Sequence, residues 1–244
     1  MALREDLERL GNFLFRWRSY IPLVMIIPFI LAMKEFQYPD DNHIFDMVWE
    51  LCCFFISLLG LAVRIKVVAH TPKGTSGRNT KEQVADYLNT TGMYSIWRHP
   101  LYMGNFLIWL GIVMSIRVPW FILISILFFW AYYLRIIFAE EEFLRKKYGD
   151  SFLNWANKTP IFIPKLRNWT KPALPFSIKT AIKGEYSSLF AIIASFMLIE
   201  LIGDFIVNKK LVIDHLWGFI FTFGLILYLI IRYIRKNTGL LKNR

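Results

Sequence analysis

The sequence predicts an all-α fold: a polytopic membrane helical bundle of about six transmembrane helices, both termini cytoplasmic, plus one amphipathic cytoplasmic helix. Three observations predict it. The 244 residues are 56% hydrophobic and 17% aromatic, with a mean hydropathy of +0.41, whereas a soluble domain stays near about 45–50% apolar. Six apolar runs stand out, at 20–33, 44–63, 101–116, 118–134, 186–202 and 216–231. The basic residues in the segments before, between and after these runs number 4, 1, 6, 1, 10, 2 and 5. Cationic loops face the cytoplasm, so this alternation sets the orientation. It also accounts for the net charge of +11, so no nucleic-acid partner is expected.

The elements follow in order. The first nineteen residues are polar and amphipathic. No small-residue cleavage site follows the first apolar run, so no cleavable signal peptide is expected. Run 20–33 is short and carries Pro22 and Pro28. Run 44–63 follows an acidic link with Asp40 and Asp41, and Arg64 closes it. Its Cys52 and Cys53 are adjacent, about 100° apart on a helix, so they are not expected to pair with each other. Runs 101–116 and 118–134 flank Arg117, and so short a link makes them an antiparallel hairpin. Most runs fall below the roughly 20 residues a span needs, and flanking Trp, Tyr, Lys and Arg extend them. Asp46, Glu50 and Glu200 lie near external ends, where snorkelling to water is the cheaper account than a functional role.

Between the runs, 71–91 is turn-rich. Over 140–157 the residues Leu144, Tyr148, Phe152 and Trp155 form one stripe, opposite Arg145, Lys146, Lys147 and Asp150. That pattern predicts an amphipathic helix on the membrane surface. Four prolines, Pro160, Pro164, Pro172 and Pro175, then make 157–175 extended.

Two places carry chemistry. Pro100 opens the third run at the first helical position, which leaves His99 non-helical. Arg98 and His99 therefore cluster at a helix N-terminus, a place that suits an anionic group or a headgroup anchor. Gly104 and Gly111 share one face, where packing is favoured over ligand contact. Tyr94 and Tyr102 read by default as interface aromatics. The fourth run ends on Glu140, Glu141 and Glu142. Glu141 with Arg145 and Glu142 with Lys146 have the favourable i,i+4 order. Glu140 has no such partner and is the acid left for a ligand ammonium. Arg64 and Arg135 stand at cytoplasmic edges, and Arg135 lies on the same face as Glu142. His43, His70, His99 and His215 are scattered, so no metal site is expected.

Arg98-His99-Pro100-x-Tyr102-x-Gly104, then Glu140-Glu141-x-x-Leu144-x-x-x-Tyr148-Gly149 and Pro160-x-x-x-Pro164, resembles the isoprenylcysteine carboxyl methyltransferase and phospholipid methyltransferase superfamily. The match covers about 60–164. The resemblance implies methyl transfer from S-adenosylmethionine. It implies a cofactor site formed by Tyr94, His99, Pro100, Tyr102, Gly104, Glu140 and Glu141, with Arg98 touching substrate. It further implies catalytic arginines beside a lipid tunnel, at Arg64 and Arg135. The chain then divides into an N-terminal transmembrane hairpin (1–59), a methyltransferase core (60–165), an extended linker (166–185) and a C-terminal transmembrane hairpin (186–244).

A carboxylate acceptor needs no general base, whereas an amine must first lose a proton, and His99 is the lone histidine near the motif. O-methylation of a lipid or lipidated acid is therefore favoured over N-methylation. The expected place is a bacterial inner membrane, with the site facing the cytoplasm. The alternatives are a membrane reductase using NADPH on a sterol-like lipid, and a non-catalytic membrane scaffold.

Overall fold

The computed structural model describes residues 2–38, 43–72, 83–211 and 213–241. Asp40, Asp41 and residues 73–82 of the turn-rich stretch lie outside the described residues. The described residues form helices and no strands.

In chain order, α1 (Leu3–Arg16) leads into a 3-10 turn (Ile21–Met25) and α2 (Ile26–Lys34). Pro22 sits in the first turn of the 3-10 segment, where its missing N–H costs nothing. Then come α3 (His43–His70), the single turn α4 (Met93–Ile96), α5 (Pro100–Met114) and α6 (Pro119–Tyr148). The chain ends with α7 (Asp150–Ala156), α8 (Ile178–Asn208) and α9 (His215–Asn237). Ser177 caps α8, its Oγ accepting from Thr180 N, and Asp214 caps α9, accepting from Leu216 N and Trp217 N.

Among the described residues four helices are long and apolar enough to cross a membrane: Phe45–His70, Pro119–Tyr148, Ile178–Asn208 and His215–Asn237. The pair Leu3–Arg16 and Ile21–Lys34, bent by 83°, makes a fifth if it counts as one span. The apolar runs in the sequence number six. The difference lies in α5, which has 15 residues. At about 1.5 Å per residue it reaches roughly 22 Å, short of the roughly 30 Å hydrocarbon layer.

α5 lies along α3 in the tightest packing of the bundle. A Cβ at Gly60 would stand 2.5 Å from the Gly104 carbonyl oxygen and 2.7 Å from Ile108 N. Small residues let the two backbones meet, which bears out the packing reading of Gly104. α8 packs along the other side of α3, α9 along α8, and α1 along α6. Arg117, at φ 65°, turns the chain from α5 into α6 and pairs with Asp46.

Two expectations are corrected. The helix expected over 140–157 is not one element. α6 runs unbroken to Tyr148, and Gly149 at φ 52° breaks the chain before α7. Only glycine takes that backbone cheaply. The stripe also faces inward: Phe152 is 1% exposed, and Tyr148 Oη donates to Ala85 O at 2.6 Å. The acids at the other end do not reach water. Glu50 and Glu200 are each 8% exposed between α3, α8 and α9, and Glu50 accepts from Trp217 Nε1 at 2.8 Å. Snorkelling fails there because both acids sit on inward faces of packed helices.

Gly60→Val should destabilise the protein by about 1–3 kcal/mol, since the new side chain meets backbone rather than a movable side chain. Gly239→Ala, with open space around it, should stay within about 0.5 kcal/mol. Thermal unfolding of both variants in the same detergent checks the contrast.

Candidate active site

A cavity of about 350 Å³ lies where the end of α3, the start of α5 and the last turns of α6 meet. Two acids that α6 carries past the apolar stretch stand there, Glu140 on the lining and Glu141 behind it. Glu140 accepts from Tyr102 Oη at 2.6 Å and lies 3.6 Å from His99 Nδ1. Glu141 accepts from Arg98 Nη1 at 2.9 Å and stands 3.1 Å from His99 Nε2. His99 thus has a carboxylate at each ring nitrogen. Pro100 fixes its non-helical backbone, at φ −127° and ψ 62°, and so aims the ring across the helix end.

The surrounding segments hold this geometry. Arg98 N donates to Pro160 O, Lys165 N to Ile96 O, and Trp155 Nε1 to Tyr94 O, at 3.0–3.2 Å. His70 Nδ1–H donates to Leu174 O at 2.8 Å. The proline-rich stretch is therefore a strap that ties the motif halves together.

The charges shift accordingly. Burial disfavours the His99 cation, but the hydrogen bonds and charges of Glu140 and Glu141 outweigh it, and the pKa is raised. Burial, with Glu140 beside it, also raises the Tyr94 phenol, so Tyr94 stays protonated.

The structure brings Arg64, Tyr94, Arg98, His99, Tyr102 and Glu140 together on the cavity wall, with Glu141 behind Arg98 and His99. Besides Glu141, three expected residues do not line it. Pro100 is buried in the α5 start. Gly104 is covered by Arg64, whose Cγ lies 2.6 Å from where a Cβ would stand. Arg135 points back along α6, bonding Ala131 O, on the face that packs against Gly11 of α1.

The expected i,i+4 pairs are corrected too. Glu141 turns to Arg98 and His99 rather than Arg145, and Glu142 pairs with Arg4 of α1 rather than Lys146, which binds Glu8 at 2.6 Å. Partners from other segments replace the expected ones, although Arg145 still lies 3.7 Å from Glu142 along α6.

Sequence reasoning missed Arg18 from the segment after α1, Asn105, and Glu185 of α8, all on the cavity wall. Glu185 left one signal: it is the single acid between Asp150 and Glu200.

The phospholipid methyltransferase family model matches residues 52–151, a segment that holds Arg64 and both motif halves. Protein-S-isoprenylcysteine O-methyltransferase of Saccharomyces cerevisiae is 27% identical over 139 residues, which is 54% of this chain and 57% of that one. Over this core segment the chain is similar to the isoprenylcysteine carboxyl methyltransferase and phospholipid methyltransferase superfamily. Its similarity extends to two bacterial relatives. Nickel-cobalt-cadmium resistance protein NccN of Alcaligenes xylosoxydans xylosoxydans is 35% identical over 150 residues, 62% of this chain and 63% of the relative. Cobalt-zinc-cadmium resistance protein CzcN of Cupriavidus metallidurans is 27% identical over 194 residues, 77% of this chain and 85% of the relative. The chain thus spans little more than half the length of the yeast relative. No solved structure matches this chain at a significant level. Among the described residues no group of three or more His, Cys, Asp and Glu side chains is placed to hold a metal ion.

The raised His99 pKa has a definite sign. The cation adds stability that is fully present below the unfolded value of about 6.5 and is lost as pH rises through the higher folded value. Thermal midpoints measured from about pH 6 to 9 should therefore fall more steeply for the wild type than for His99→Gln. Parallel profiles would show that the imidazolium is not held by the two acids.

Proposed function

We propose that this protein is an integral membrane methyltransferase that moves a methyl group from S-adenosylmethionine to a lipid or lipidated acceptor. A carboxylate is the favoured acceptor. The observation that carries this reading is the meeting of the two motif halves: Arg98, His99 and Tyr102 bond to Glu140 and Glu141 around one cavity.

The residues present fit the cofactor. It carries an ammonium, a carboxylate, a ribose diol, a flat base and a sulfonium. The cavity offers a carboxylate in Glu140, cations in Arg98 and His99, and the flat faces of Tyr94, Phe143 and Trp155. Its volume of about 350 Å³ lies within the range of small-molecule sites, about 300–1,000 Å³. In this reading Tyr94, His99, Tyr102, Glu140 and Glu141 hold the cofactor or orient its holders, and Arg98 reaches the acceptor or the cofactor carboxylate. When bound, S-adenosylmethionine supplies a methyl group activated by its sulfonium.

The protein's own part is positioning. An acceptor oxygen must stand in line with the methyl carbon, opposite the sulfur, and fixing that alignment removes much of the barrier. Arg64, on the cavity wall, is the residue to orient a carboxylate there. Arg135, directed along its own helix, takes no part in this proposal. The acceptor's tail would run between the helices while the cofactor enters from water. The basic segments beside the cavity support a cytoplasmic orientation for this end, and the two bacterial relatives are consistent with a bacterial inner membrane.

Calorimetry in detergent with S-adenosylhomocysteine tests the reading. The wild type should bind, and His99→Ala and Glu140→Ala should each lose about tenfold or more, as expected for removing a buried charge-assisted hydrogen bond. No binding by folded wild type, or unchanged binding in both variants, overturns it. Lipid extracts incubated with isotopically labelled S-adenosylmethionine, then analysed by mass spectrometry, should reveal the methylated acceptor.

A further inference from the structure

The family match ends at residue 151, yet one wall of the cavity comes from α8. That wall is Glu185. Its carboxylate takes Arg64 Nε on one oxygen and Nη2 on the other, each at 2.9 Å. Arg64 Nη1 donates to Asn105 Oδ1. A guanidinium has five N–H donors. These contacts engage three of them and leave two.

The Glu185 side chain is 2% exposed and that of Arg64 is 21% exposed. The acid is shut behind the arginine, and the arginine faces the cavity. The fork geometry fixes the plane of the guanidinium, and α3 and α8 fix its place.

Building on the proposed carboxylate methylation, we propose that Glu185 is a positioning residue: it neutralises and orients Arg64, so the acceptor meets an arginine already paired.

The chemistry gives the reason. In the transfer, a lone pair of the acceptor oxygen forms the new O–C bond. The C–S bond breaks with its electron pair kept by sulfur. The carboxylate loses its charge as it becomes an ester. A bare buried guanidinium would therefore grip the starting carboxylate harder than the transition state, and such binding slows the step. Glu185 weakens that grip while the two remaining N–H donors still set the direction of the oxygen. α8, on this view, is part of the active site.

The test uses full-length protein in lipid nanodiscs with saturating S-adenosylhomocysteine, and palmitate and hexadecylamine as probes. Glu185→Gln keeps the shape and removes the charge. It should bind palmitate about tenfold tighter than wild type and hexadecylamine more weakly, because one charge in a poorly solvated site is removed. Glu185→Asp, which keeps the charge, should leave palmitate affinity within about threefold, and the neutral double variant Arg64→Gln/Glu185→Gln should lose the gain. With a turned-over acceptor, Glu185→Gln should lower KM and kcat together, a split that mere loosening of α8 does not produce.

A folded Glu185→Gln protein with unchanged or weaker palmitate binding overturns the proposal, and so does a Glu185→Asp protein that behaves like it. S-adenosylhomocysteine affinity in the same samples reports separately on the methyltransferase reading.

Discussion

The structure turns on one set of charge contacts, those that Arg98 and His99 make with Glu140 and Glu141. Four ionisable side chains meet at the end of an apolar bundle, where unpaired charges are costly. Each satisfies another. The arrangement needs α6 to extend well past the apolar stretch and α5 to begin abruptly at Pro100. It also needs α3 to hold α5 close, which the small residues at Gly60 and Gly104 permit. Helix packing that looks like simple bundle construction is thus what brings the acids to the histidine.

Around that centre the rest of the chain acts as a brace. The strap after α7 returns to bond Ile96, Arg98 and the Ser95 turn. α1 packs under the acids, where Arg4 takes Glu142 and leaves Glu140 and Glu141 for the cavity. From the far side α8 supplies Glu185 to Arg64. Three elements distant in sequence therefore brace one cavity, and all three, the strap, α1 and α8, lie outside the segment that matches the family.

The opposite end of the bundle follows the same rule with different residues. Asp46 pairs with Arg117, Trp217 donates to Glu50, and Tyr38 donates to Asp204 at 2.9 Å. Acids on inward helix faces find donors on neighbouring segments instead of water. Position along a helix says where an acid lies in depth. Which face it occupies, and what stands opposite, belongs to the packing.

The sequence by itself determined the helical class, the apolar runs, the turn at Pro100 and the two motif halves, because these are written in local pattern: hydropathy, proline position and spacing. It singled out Glu140 as the acid without a partner on its own helix, and the structure gives it Tyr102 from another. Pairings across helices were decided only in the folded bundle. Glu141 takes Arg98 over Arg145, Arg64 takes Glu185 across 121 positions, and Gly149 ends α6 at φ 52° where periodicity ran on. The physical reason is that side-chain partners are chosen by proximity in a poorly solvated interior, where a buried contact outweighs an exposed one a turn away.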